Sequence, residues 1–415
     1  MQKEVVVIGG GIIGLCSAYY LLKEGHKVTV LEQSDFTKGA SFVNAGYITP
    51  SHFIPLAAPG MISKGIKWMF DSTSPFYVKP RLNSAFLSWA WNFNKSSTHK
   101  KVERAIPVIK DINLLSRALY EEMKEANEFP FHYDHKGLLM FYKTEKAGEE
   151  EWQVGMRGLK EGLKVENLSF SEAQKLEPNI SADVKGAVYY KSDAHMTPGV
   201  FMTGMAEYLK SNGVTILLNE TVKDLGLNQN KIESVQTNKR EIKGDEFVLS
   251  TGSWSPILAK KIGLNLAVEA GKGYRINTRS STGIKLPGIL VEAKVAVTPM
   301  QGFTRFAGTM ELGGLNEKIN PVRVGAIAKA AQDYYNSVNL SRQEIQNAEC
   351  GLRPCTPDGI PYIGKSNTCQ NLTIATGHAM MGWSLGPATG KIVAQIIGEQ
   401  KTELDILPFH PDRKF

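Results

Sequence analysis

Short, largely apolar runs bounded by turn residues recur along the chain and predict the strands of a parallel sheet. The first run, residues 5–8, consists of four aliphatic side chains that lead directly into a glycine-rich turn. Runs of similar character occupy residues 26–31, 214–218, 247–250 and 372–375. Continuous apolar runs of this length are typical of strands that are buried on both faces of a parallel sheet.

Helical patterns accompany these strands in three separated parts of the chain. We predict helices from Ile12 onward, over residues 201–211 and over residues 388–397. Strands that alternate with helices indicate an α/β domain whose helices cover the sheet. These parts therefore predict one Rossmann-like, three-layer nucleotide-binding domain, made of residues 1–50, 193–260 and 345–415.

The segments between these parts have a different pattern and predict a second domain, made of residues 51–192 and 261–344. Residues 103–127 have a helical pattern, whereas residues 265–312 alternate short strands with glycine turns. That alternation is typical of strands connected by hairpins. We expect a substrate-binding domain with a mixed or antiparallel sheet.

The glycine-rich turn after the first strand matches a dinucleotide-binding fingerprint. Residues 9–14 read Gly-Gly-Gly-Ile-Ile-Gly, between a strand and a helix as the fingerprint requires. In this pattern Gly9 makes the tight turn, Gly11 lets a pyrophosphate approach the backbone, and Gly14 lets the helix pack on the strand. Glu32 ends the second strand, where a carboxylate accepts hydrogen bonds from ribose hydroxyls. The fingerprint leaves NAD and FAD open, but the lack of a second copy argues against direct coupling to NAD(P)H.

Composition narrows the class of protein. The chain has 415 residues, of which 42% are hydrophobic and 21% are charged, as in ordinary globular proteins. The net charge of +7 is dispersed along the chain, so we predict no nucleic-acid partner.

No run of about 18 apolar residues is present, which predicts that no segment spans a membrane. The first strand begins too close to Met1 for a signal peptide, and the four cysteines have no metal-ligand spacing, so we expect a cytoplasmic protein without a metal site.

Two C-terminal motifs are more specific. Residues 351–364 read Gly-Leu-Arg-Pro-Cys-Thr-Pro-Asp-Gly-Ile-Pro-Tyr-Ile-Gly, and residues 375–390 read Ala-Thr-Gly-His-Ala-Met-Met-Gly-Trp-Ser-Leu-Gly-Pro-Ala-Thr-Gly. With these motifs the chain resembles the D-amino-acid oxidase superfamily of flavoproteins over nearly its whole length. Residues 40–46 and 305–312 look most like the bacterial FAD-dependent D-amino-acid dehydrogenases, a group that includes enzymes acting on D-proline and D-hydroxyproline.

The resemblance implies FAD as the cofactor and oxidative deamination of a D-amino acid, by hydride transfer to flavin N5. It implies an imino or 2-oxo acid as the product, with the electrons passing to a quinone or an electron-transfer protein. Two alternatives stay open: an O₂-using oxidase of the glycine or sarcosine oxidase type, and a non-catalytic nucleotide-binding protein. Met380 stands where glycine oxidases carry an arginine, which favours an apolar or cyclic substrate such as D-proline or cis-4-hydroxy-D-proline.

Arg353 is the residue that the resemblance assigns to the substrate carboxylate. A guanidinium matches a carboxylate with two parallel hydrogen bonds, so it fixes orientation as well as affinity. The structural alternative is an ion pair with Asp358 or another acid. Tyr274 is expected either to donate a second hydrogen bond to the carboxylate or to pack in the core. Lys272 and His378 are further candidates for substrate contact. The alternative for Lys272 is a solvated position, and the alternative for His378 is a cofactor-facing or structural role.

The resemblance also implies which residues hold FAD, and that FAD is bound without a covalent link. Some relatives attach the flavin through a cysteine in the C-terminal motif, but Gly351 occupies that position here and Cys350 is one place away. The residues expected to bind the cofactor are Gly9, Gly11, Ile12, Ile13, Gly14, Glu32, Gln33, Ser41, Asn44, Ala45, Gly46, Val222, Thr251, Gly252, Trp254, Gly377, His378, Met380, Met381, Gly382, Trp383 and Ser384.

Residues 55–95 are rich in aromatic side chains, with basic residues between them. Such a segment is typical of peripheral contact with an anionic bilayer, here the inner face of the cytoplasmic membrane, where a quinone is available. It is equally typical of a packed shell around the substrate domain. The basic residues include Lys64, Lys67, Lys79 and Arg81.

Overall fold

The computed structural model describes residues 1–60, 74–79 and 81–415. Part of the aromatic segment discussed above, including Lys64, Lys67 and Trp68, lies outside the described residues. Among the described residues, the helices are all too short or too polar to cross a bilayer.

A six-stranded sheet forms the centre of the nucleotide-binding region. Five strands run parallel, and the sixth pairs antiparallel at one edge, in the order β10-β2-β1-β14-β21-β20. The three separated parts of the chain therefore meet in one sheet, as their apolar runs predict. The strands are β1 (Glu4–Ile8), β2 (Lys27–Glu32), β10 (Thr215–Leu218), β14 (Glu246–Leu249), β20 (Tyr362–Lys365) and β21 (Leu372–Thr376).

Helices cover one face of this sheet. Helix α1 (Ile12–Lys23) lies against α10 (Gly386–Ile397), and a methyl group on Gly390 would lie 2.5 Å from the backbone of Cys16. The glycine therefore allows the two helices to approach closely, and Cys16 is fully buried between them. Two further helices, α3 (His99–Ala126) and α6 (Pro198–Ser211), pack into the same apolar core.

The opposite face is covered by a small three-stranded sheet and by helix α7 (Ser255–Lys261). Leu225, Val235 and Leu258 from this layer pack with strand residues such as Phe247 in a second apolar core. The three layers confirm the predicted α/β, Rossmann-like architecture. The strands of the small sheet are β11 (Val222–Asn228), β12 (Lys231–Thr237) and β13 (Glu241–Lys243).

A nine-stranded mixed sheet forms the second region, as the alternation of strands and turns predicts. Its main path is β19-β15-β18-β17-β16-β6-β8-β7, with β4 beside β18. The pairs β16–β6 and β18–β4 are parallel and the others are antiparallel. The strands are β4 (Phe76–Val78), β6 (Leu138–Tyr142), β7 (Val165–Ser169), β8 (Gly186–Tyr190), β15 (Glu269–Thr278), β16 (Gly288–Leu290), β17 (Val295–Met300), β18 (Phe303–Leu312) and β19 (Glu349–Cys355).

Strand β19 connects the two regions. It belongs to the third part of the predicted nucleotide-binding domain, yet it hydrogen-bonds with β15 at the edge of the nine-stranded sheet. The residues that follow it return to β20 of the six-stranded sheet. Residues of the C-terminal motif therefore reach both regions. The predicted domain boundaries stay a prediction.

A third small sheet lies between the two regions, in the order β3-β9-β5. Its strands are β3 (Tyr47–Ile48), β5 (Tyr133–Asp134) and β9 (Ala194–Met196). The remaining helices are α2 (Ser84–Ser96), α4 (Glu145–Lys160), α5 (Phe170–Leu176), α8 (Pro321–Tyr334) and α9 (Arg342–Gln346), with short 3-10 helices at Gly252–Trp254, Ala379–Met381 and Leu407–Phe409.

Candidate active site

One large cavity of about 1160 Å³ is lined by residues of both regions. At one end its walls are the segments that follow the carboxyl ends of β1, β2, β10, β14 and β21, where open α/β sheets bind their ligands. At the other end its walls include residues of β15, β18 and β19. Because ordinary small-molecule pockets occupy about 300–1,000 Å³, the cavity has room for a dinucleotide together with a small substrate.

The glycine-rich turn shapes the nucleotide end of the cavity. A side chain on Gly14 would overlap the carbonyl oxygen of Gly9, so the helix packs directly on the turn. Gly9 adopts a left-handed φ of 105°, and Gly11 is the N-cap of α1 without a side chain to bind the amides of the first turn. The amide of Ile12 donates to Ser41 Oγ at 3.0 Å. This open helix N-terminus fits a pyrophosphate, which accepts hydrogen bonds from backbone amides.

Glu32 lies at the end of β2 and lines the same part of the cavity. Its Oε2 accepts a hydrogen bond from the amide of Gly10 at 2.8 Å, and its Oε1 accepts from the amide of Ser34 at 2.8 Å. These bonds fix the carboxylate at the cavity wall. A carboxylate held there suits ribose hydroxyls and disfavours a 2′-phosphate.

Most of the residues expected to bind FAD line this cavity, and four do not. Gly14 and Gly377 support the backbone behind it, and a side chain on Gly46 would overlap the carbonyl oxygen of Met196. Ser384 is buried, where its Oγ donates to Asn113 and accepts from the amide of Thr49. The expected residues that line the cavity are Gly9, Gly11, Ile12, Ile13, Glu32, Gln33, Ser41, Asn44, Ala45, Val222, Thr251, Gly252, Trp254, His378, Met380, Met381, Gly382 and Trp383.

Arg353 projects from β19 into the substrate end of the cavity. Its Nη1 donates to the carbonyl oxygen of Thr309 at 2.7 Å. A side chain on Gly273 would overlap the guanidinium, so only glycine leaves room for the arginine against β15. Burial lowers the pKa of the guanidinium, and in the described part of the chain no carboxylate forms an ion pair with it. The site therefore presents a partly buried cation without a carboxylate partner among the described residues.

The structural alternative for Arg353 was an ion pair with Asp358. The structure instead pairs Asp358 with Arg413, through Nε to Oδ2 at 2.8 Å and Nη2 to Oδ1 at 2.9 Å. This two-point contact occupies both carboxylate oxygens. Arg353 is thus left for a ligand.

Lys272 and Tyr274 have hydrogen-bond partners within the protein, and their proposed substrate contacts stay predictions. Lys272 does not line the cavity; its ammonium contacts Asn316 Oδ1 at 2.6 Å and Glu311 Oε1 at 3.3 Å. Tyr274 does line the cavity, but its hydroxyl donates to Glu311 Oε2 at 2.9 Å. That donor is therefore used within the protein. The β15–β18 pairing has a bulge here: two steps along β15, from Lys272 to Tyr274, match three steps along β18, from Glu311 to Gly308, so the extra residue lies in β18.

His378 is buried at the cavity wall, where its Nε2 lies 3.0 Å from Thr389 Oγ1. Burial lowers the pKa of its imidazole to about 3, so the ring is neutral at physiological pH. Arg305 has a structural environment, because its Nη1 donates to the carbonyl oxygens of Phe42 and Asn44.

Thr309 is a site residue that sequence reasoning missed. It has a left-handed φ of 71°, which is unusual for a β-branched residue inside a strand. The unusual conformation lies at the residue whose carbonyl oxygen accepts the hydrogen bond from Arg353. The sequence carries no signal for it, because threonine is common in strands. His52 and Lys294 also line the cavity without having been predicted to do so.

Comparison with known proteins places the chain in a family. A profile of the FAD dependent oxidoreductase family, DAO, matches residues 4–396. The chain is 33% identical to a D-amino acid dehydrogenase of Helicobacter pylori over 413 residues, which covers 99% of this chain and 98% of the relative. It is 31% identical to a D-amino acid dehydrogenase of Vibrio vulnificus, covering 96% of this chain and 97% of the relative.

Solved structures show the same fold. Glycine oxidase from Geobacillus kaustophilus superposes with a TM-score of 0.78 at 22% identity, covering 100% of this chain and 99% of that one. L-proline dehydrogenase from P. horikoshii superposes with a TM-score of 0.73 at 21% identity, covering 99% and 97%. The glycine-rich turn, the fixed Glu32 and the large cavity agree with the cofactor that the family uses. The chain belongs to the DAO family of FAD-dependent oxidoreductases.

Proposed function

We propose that the protein oxidises D-amino acids as an FAD-dependent dehydrogenase. The observation that carries the proposal is the partly buried guanidinium of Arg353, which faces the cavity and has no carboxylate partner among the described residues. A partly desolvated charge without a counter-charge is unfavourable, which supports an anionic ligand at this position. The bacterial relatives with about one third identity are named D-amino acid dehydrogenases.

In this proposal the protein's own residues bind and orient the substrate. Arg353 holds the carboxylate, and the hydrogen bond to Thr309 with the close contact to Gly273 keeps the guanidinium in one position. Fixed orientation lowers the entropy cost of bringing the reacting carbon to the acceptor. FAD, when bound, accepts the hydride from the carbon that bears the amine. Burial lowers the pKa of the His378 imidazole to about 3, so this ring is a poor proton acceptor, and in the proposal the substrate amine binds in its uncharged form.

Apolar residues lie next to the proposed carboxylate site. Thr309 is followed by Met310, which pairs with Phe76 across β18 and β4, and both side chains line the cavity. Leu56 and Ile289 line it as well. This lining supports apolar or cyclic substrates such as proline over charged ones.

We infer that FAD is held without a covalent link. The four cysteines are described, and none of them is among the described residues that line the cavity. Cys350 Sγ contacts the carbonyl oxygen of Glu317 at 3.3 Å, whereas the neighbouring Gly351 lines the cavity. A side chain on Gly351 would lie 2.5 Å from Val43 and 2.9 Å from Ala40, so this position is closed to a cysteine.

The same proposal includes a quinone as electron acceptor, reached at a membrane surface. Helix α2 buries Trp89 and Phe93 against the protein but leaves Trp91 62% and Leu87 51% exposed. Lys95 lies over the Trp91 ring, with 5.7 Å between its Nζ and the ring centroid. Ala379 packs with Trp89 and Phe93 in one cluster, and Ala379 also lines the cavity. The buried face of α2 therefore packs against a residue of the cavity wall, while Leu87 and Trp91 are exposed, an arrangement that supports a membrane contact near the cavity.

Substitution of Arg353 tests the proposed activity. Arg353→Met is expected to lower kcat/KM for D-amino acids by about two to four orders of magnitude, since it removes two charge-assisted hydrogen bonds of about 1.5–3 kcal/mol each. Arg413→Met is the matched control, because Arg413 already has Asp358 as its partner. Dye reduction is measured on a panel of D- and L-amino acids, including proline, with the flavin content of each variant. Equal kcat/KM in the two variants would reject the carboxylate assignment.

An O₂-using oxidase is the competing function, and it differs in its product. Hydrogen peroxide release is compared with dye and ubiquinone reduction at the same substrate concentration. A dehydrogenase reduces the dye and the quinone and releases little peroxide; stoichiometric peroxide would establish the oxidase.

The membrane contact has a test of its own. We expect the protein to co-sediment with phosphatidylglycerol vesicles, and the double variant Leu87→Glu, Trp91→Glu to lose this binding because charges are expelled from the apolar part of the bilayer. Leu407→Glu is the control, since Leu407 is 72% exposed but lies in the C-terminal 3-10 helix. Equal sedimentation of all three proteins would exclude α2 as the contact.

A further inference from the structure

A second cluster of chemically reactive side chains lies outside the cavity, in the small sheet β3-β9-β5. His132, Asp134 and His195 each offer one ligand atom, and these three atoms all lie within 4.8 Å of one another. The strands impose this arrangement. Asp134 and His195 are direct partners in the antiparallel pair β5–β9, and His132 lies two residues before Asp134 on the same face.

The nitrogen atoms of the two histidines are arranged as in metal sites. His195 is 1% exposed, and its Nδ1 is buried without a hydrogen-bond partner. His132 has its Nδ1 3.1 Å from Thr197 Oγ1, which leaves its Nε2 facing Asp134 Oδ2 at 3.6 Å. Histidines that bind metals commonly hydrogen-bond through one ring nitrogen and coordinate through the other.

The unpartnered nitrogen of His195 is the observation that calls for a ligand. A buried polar atom without a partner is costly, and nearly all such atoms in folded proteins have one. Two neighbouring side chains do not serve as its partner, because they have other contacts. His135 contacts Glu121 Oε1 at 3.0 Å, and Tyr47 donates to the carbonyl oxygens of Gly288 and Val297. A cation bound by both histidines and Asp134 would complete the group.

We propose that His132, Asp134 and His195 bind a divalent transition-metal ion of the zinc type. Two imidazole nitrogens and one carboxylate oxygen form a donor set that zinc accepts, and a water completes a tetrahedron. Zinc bonds of about 2.0–2.1 Å place neighbouring ligand atoms about 3.3 Å apart, close to the 3.6 Å between His132 and Asp134. The side chains of His132 and Asp134 are 24% and 31% exposed, so the ion and its water have access from solvent.

Lys136 is the competitor for this site. Its Nζ lies 2.7 Å from Asp134 Oδ2, the oxygen that faces His132. The lysine side chain is 55% exposed and flexible, so it leaves the carboxylate when a metal binds. The site also has a connection to the cavity, because Tyr47, which lines the cavity, is the partner of His195 on the other side of β9.

Zinc titration of the purified full-length holoenzyme tests the site. After removal of adventitious metal, zinc is titrated in competition with a chromogenic chelator. We expect one equivalent to bind the wild-type protein and stoichiometric binding to be lost in Asp134→Asn and in His132→Gln, which replace partly exposed ligands. His135→Gln is the matched control, with unchanged zinc binding.

Two further variants test the surroundings of the metal. Thr197→Val is expected to weaken zinc binding by about tenfold, because it removes the partner that orients His132. Lys136→Gln is expected to strengthen it by about two- to fivefold, because it removes an exposed ion pair. A wild-type protein that binds no zinc, or zinc binding retained in Asp134→Asn and His132→Gln, would overturn the proposal.

Discussion

The two ends of the cavity are built in different ways. The nucleotide end begins with residues 4–32, which form one strand, one turn, one helix and the next strand, and it is completed by the segments after β10, β14 and β21. Its glycine turn and helix N-terminus present backbone amides, which local sequence specifies. The substrate end combines β15, β18 and β19, whose pairing brings together residues far apart in the sequence, such as Gly273 and Arg353, 80 positions apart.

This difference shows which parts of the site a sequence pattern can predict. A glycine turn can be identified from its neighbours because its geometry depends on them. The position of Arg353 depends on a glycine in one strand and on a carbonyl oxygen in another. Each prediction below alters one end, or the junction between the ends, and measures whether the other end responds.

The largest effect is expected at the glycine turn. The methyl group of Gly14→Ala would overlap Gly9 and lie 2.9 Å from Ser250 Oγ, so α1 has to move away from the turn. We expect loss of bound flavin and destabilisation of about 1–3 kcal/mol or more. Gly325→Ala is the control, because nothing lies within 4 Å of the added methyl group. Flavin absorbance per protein and thermal unfolding decide the outcome; a fully flavinated Gly14→Ala protein would contradict the packing argument.

A smaller and more selective effect is expected at the substrate end. In Gly273→Ala the new methyl group displaces the guanidinium of Arg353 but lies far from the glycine turn in sequence. Misplacement of a positioning group by about 1 Å costs about a hundredfold in rate, so kcat/KM should fall by about that factor. Flavin content should stay at the wild-type level. Parallel loss of flavin and activity would mean that the two ends are not independent.

The buried Asp193 carboxyl predicts that the stability of the protein depends on pH. Burial raises the pKa of the Asp193 carboxyl to about 7, although hydrogen bonds from Ser51 act in the opposite direction. Since the unfolded value is about 3.9, the folded protein retains a proton between about pH 4 and pH 7 that the unfolded chain releases. The stability that this proton contributes is present at low pH and is lost as the pH rises through that window.

Asp193→Asn keeps an uncharged side chain at every pH and isolates this contribution. Between about pH 5 and pH 8, the stability of the wild type should fall relative to the variant by on the order of 1 kcal/mol for each pH unit below the folded pKa. Thermal unfolding of both proteins across this range measures the difference. Parallel curves would show that the carboxyl is ionised throughout.

No effect is expected from Cys350→Ser on cofactor attachment. Acid precipitation should release FAD into the supernatant from both the wild type and the variant, since Cys350 contacts Glu317 and does not line the cavity. The absorbance spectrum of the supernatant is the measurement. A yellow wild-type pellet that becomes colourless in the variant would establish a thioether.

Much of the fold follows from short stretches of sequence. The runs at residues 5–8 and 372–375 become β1 and β21, and the helix predicted over residues 103–127 is observed as His99–Ala126. The start of that helix was misplaced by four residues because its N-cap, Thr98, is followed by a polar first turn without an apolar pattern. Strand pairing was harder to predict, because the sequence of one strand does not show which other strand it pairs with.

The residues of the candidate site also differ in how far the sequence predicts them. Arg353 was identified from a motif, and in the described part of the chain the acid of the same motif, Asp358, pairs with Arg413. For Lys272 and Tyr274 the sequence left a substrate contact and a structural role open, and in the structure both side chains contact Glu311 on the neighbouring strand. The proposed zinc ligands went unrecognised, since His195 lies 61 positions beyond Asp134 and the two meet through strand pairing.

The sequence by itself determined the glycine turn, the buried strands of the parallel sheet and the chemistry of the C-terminal motif. These depend on backbone conformation and on side chains within a few residues of each other. Only the tertiary structure decided which charges are paired. Arg413 pairs with Asp358 and Lys272 pairs with Glu311, whereas Arg353 has no carboxylate partner among the residues that the structure describes. The physical reason is that an ion pair depends on distances between strands, which the order of residues along the chain does not contain.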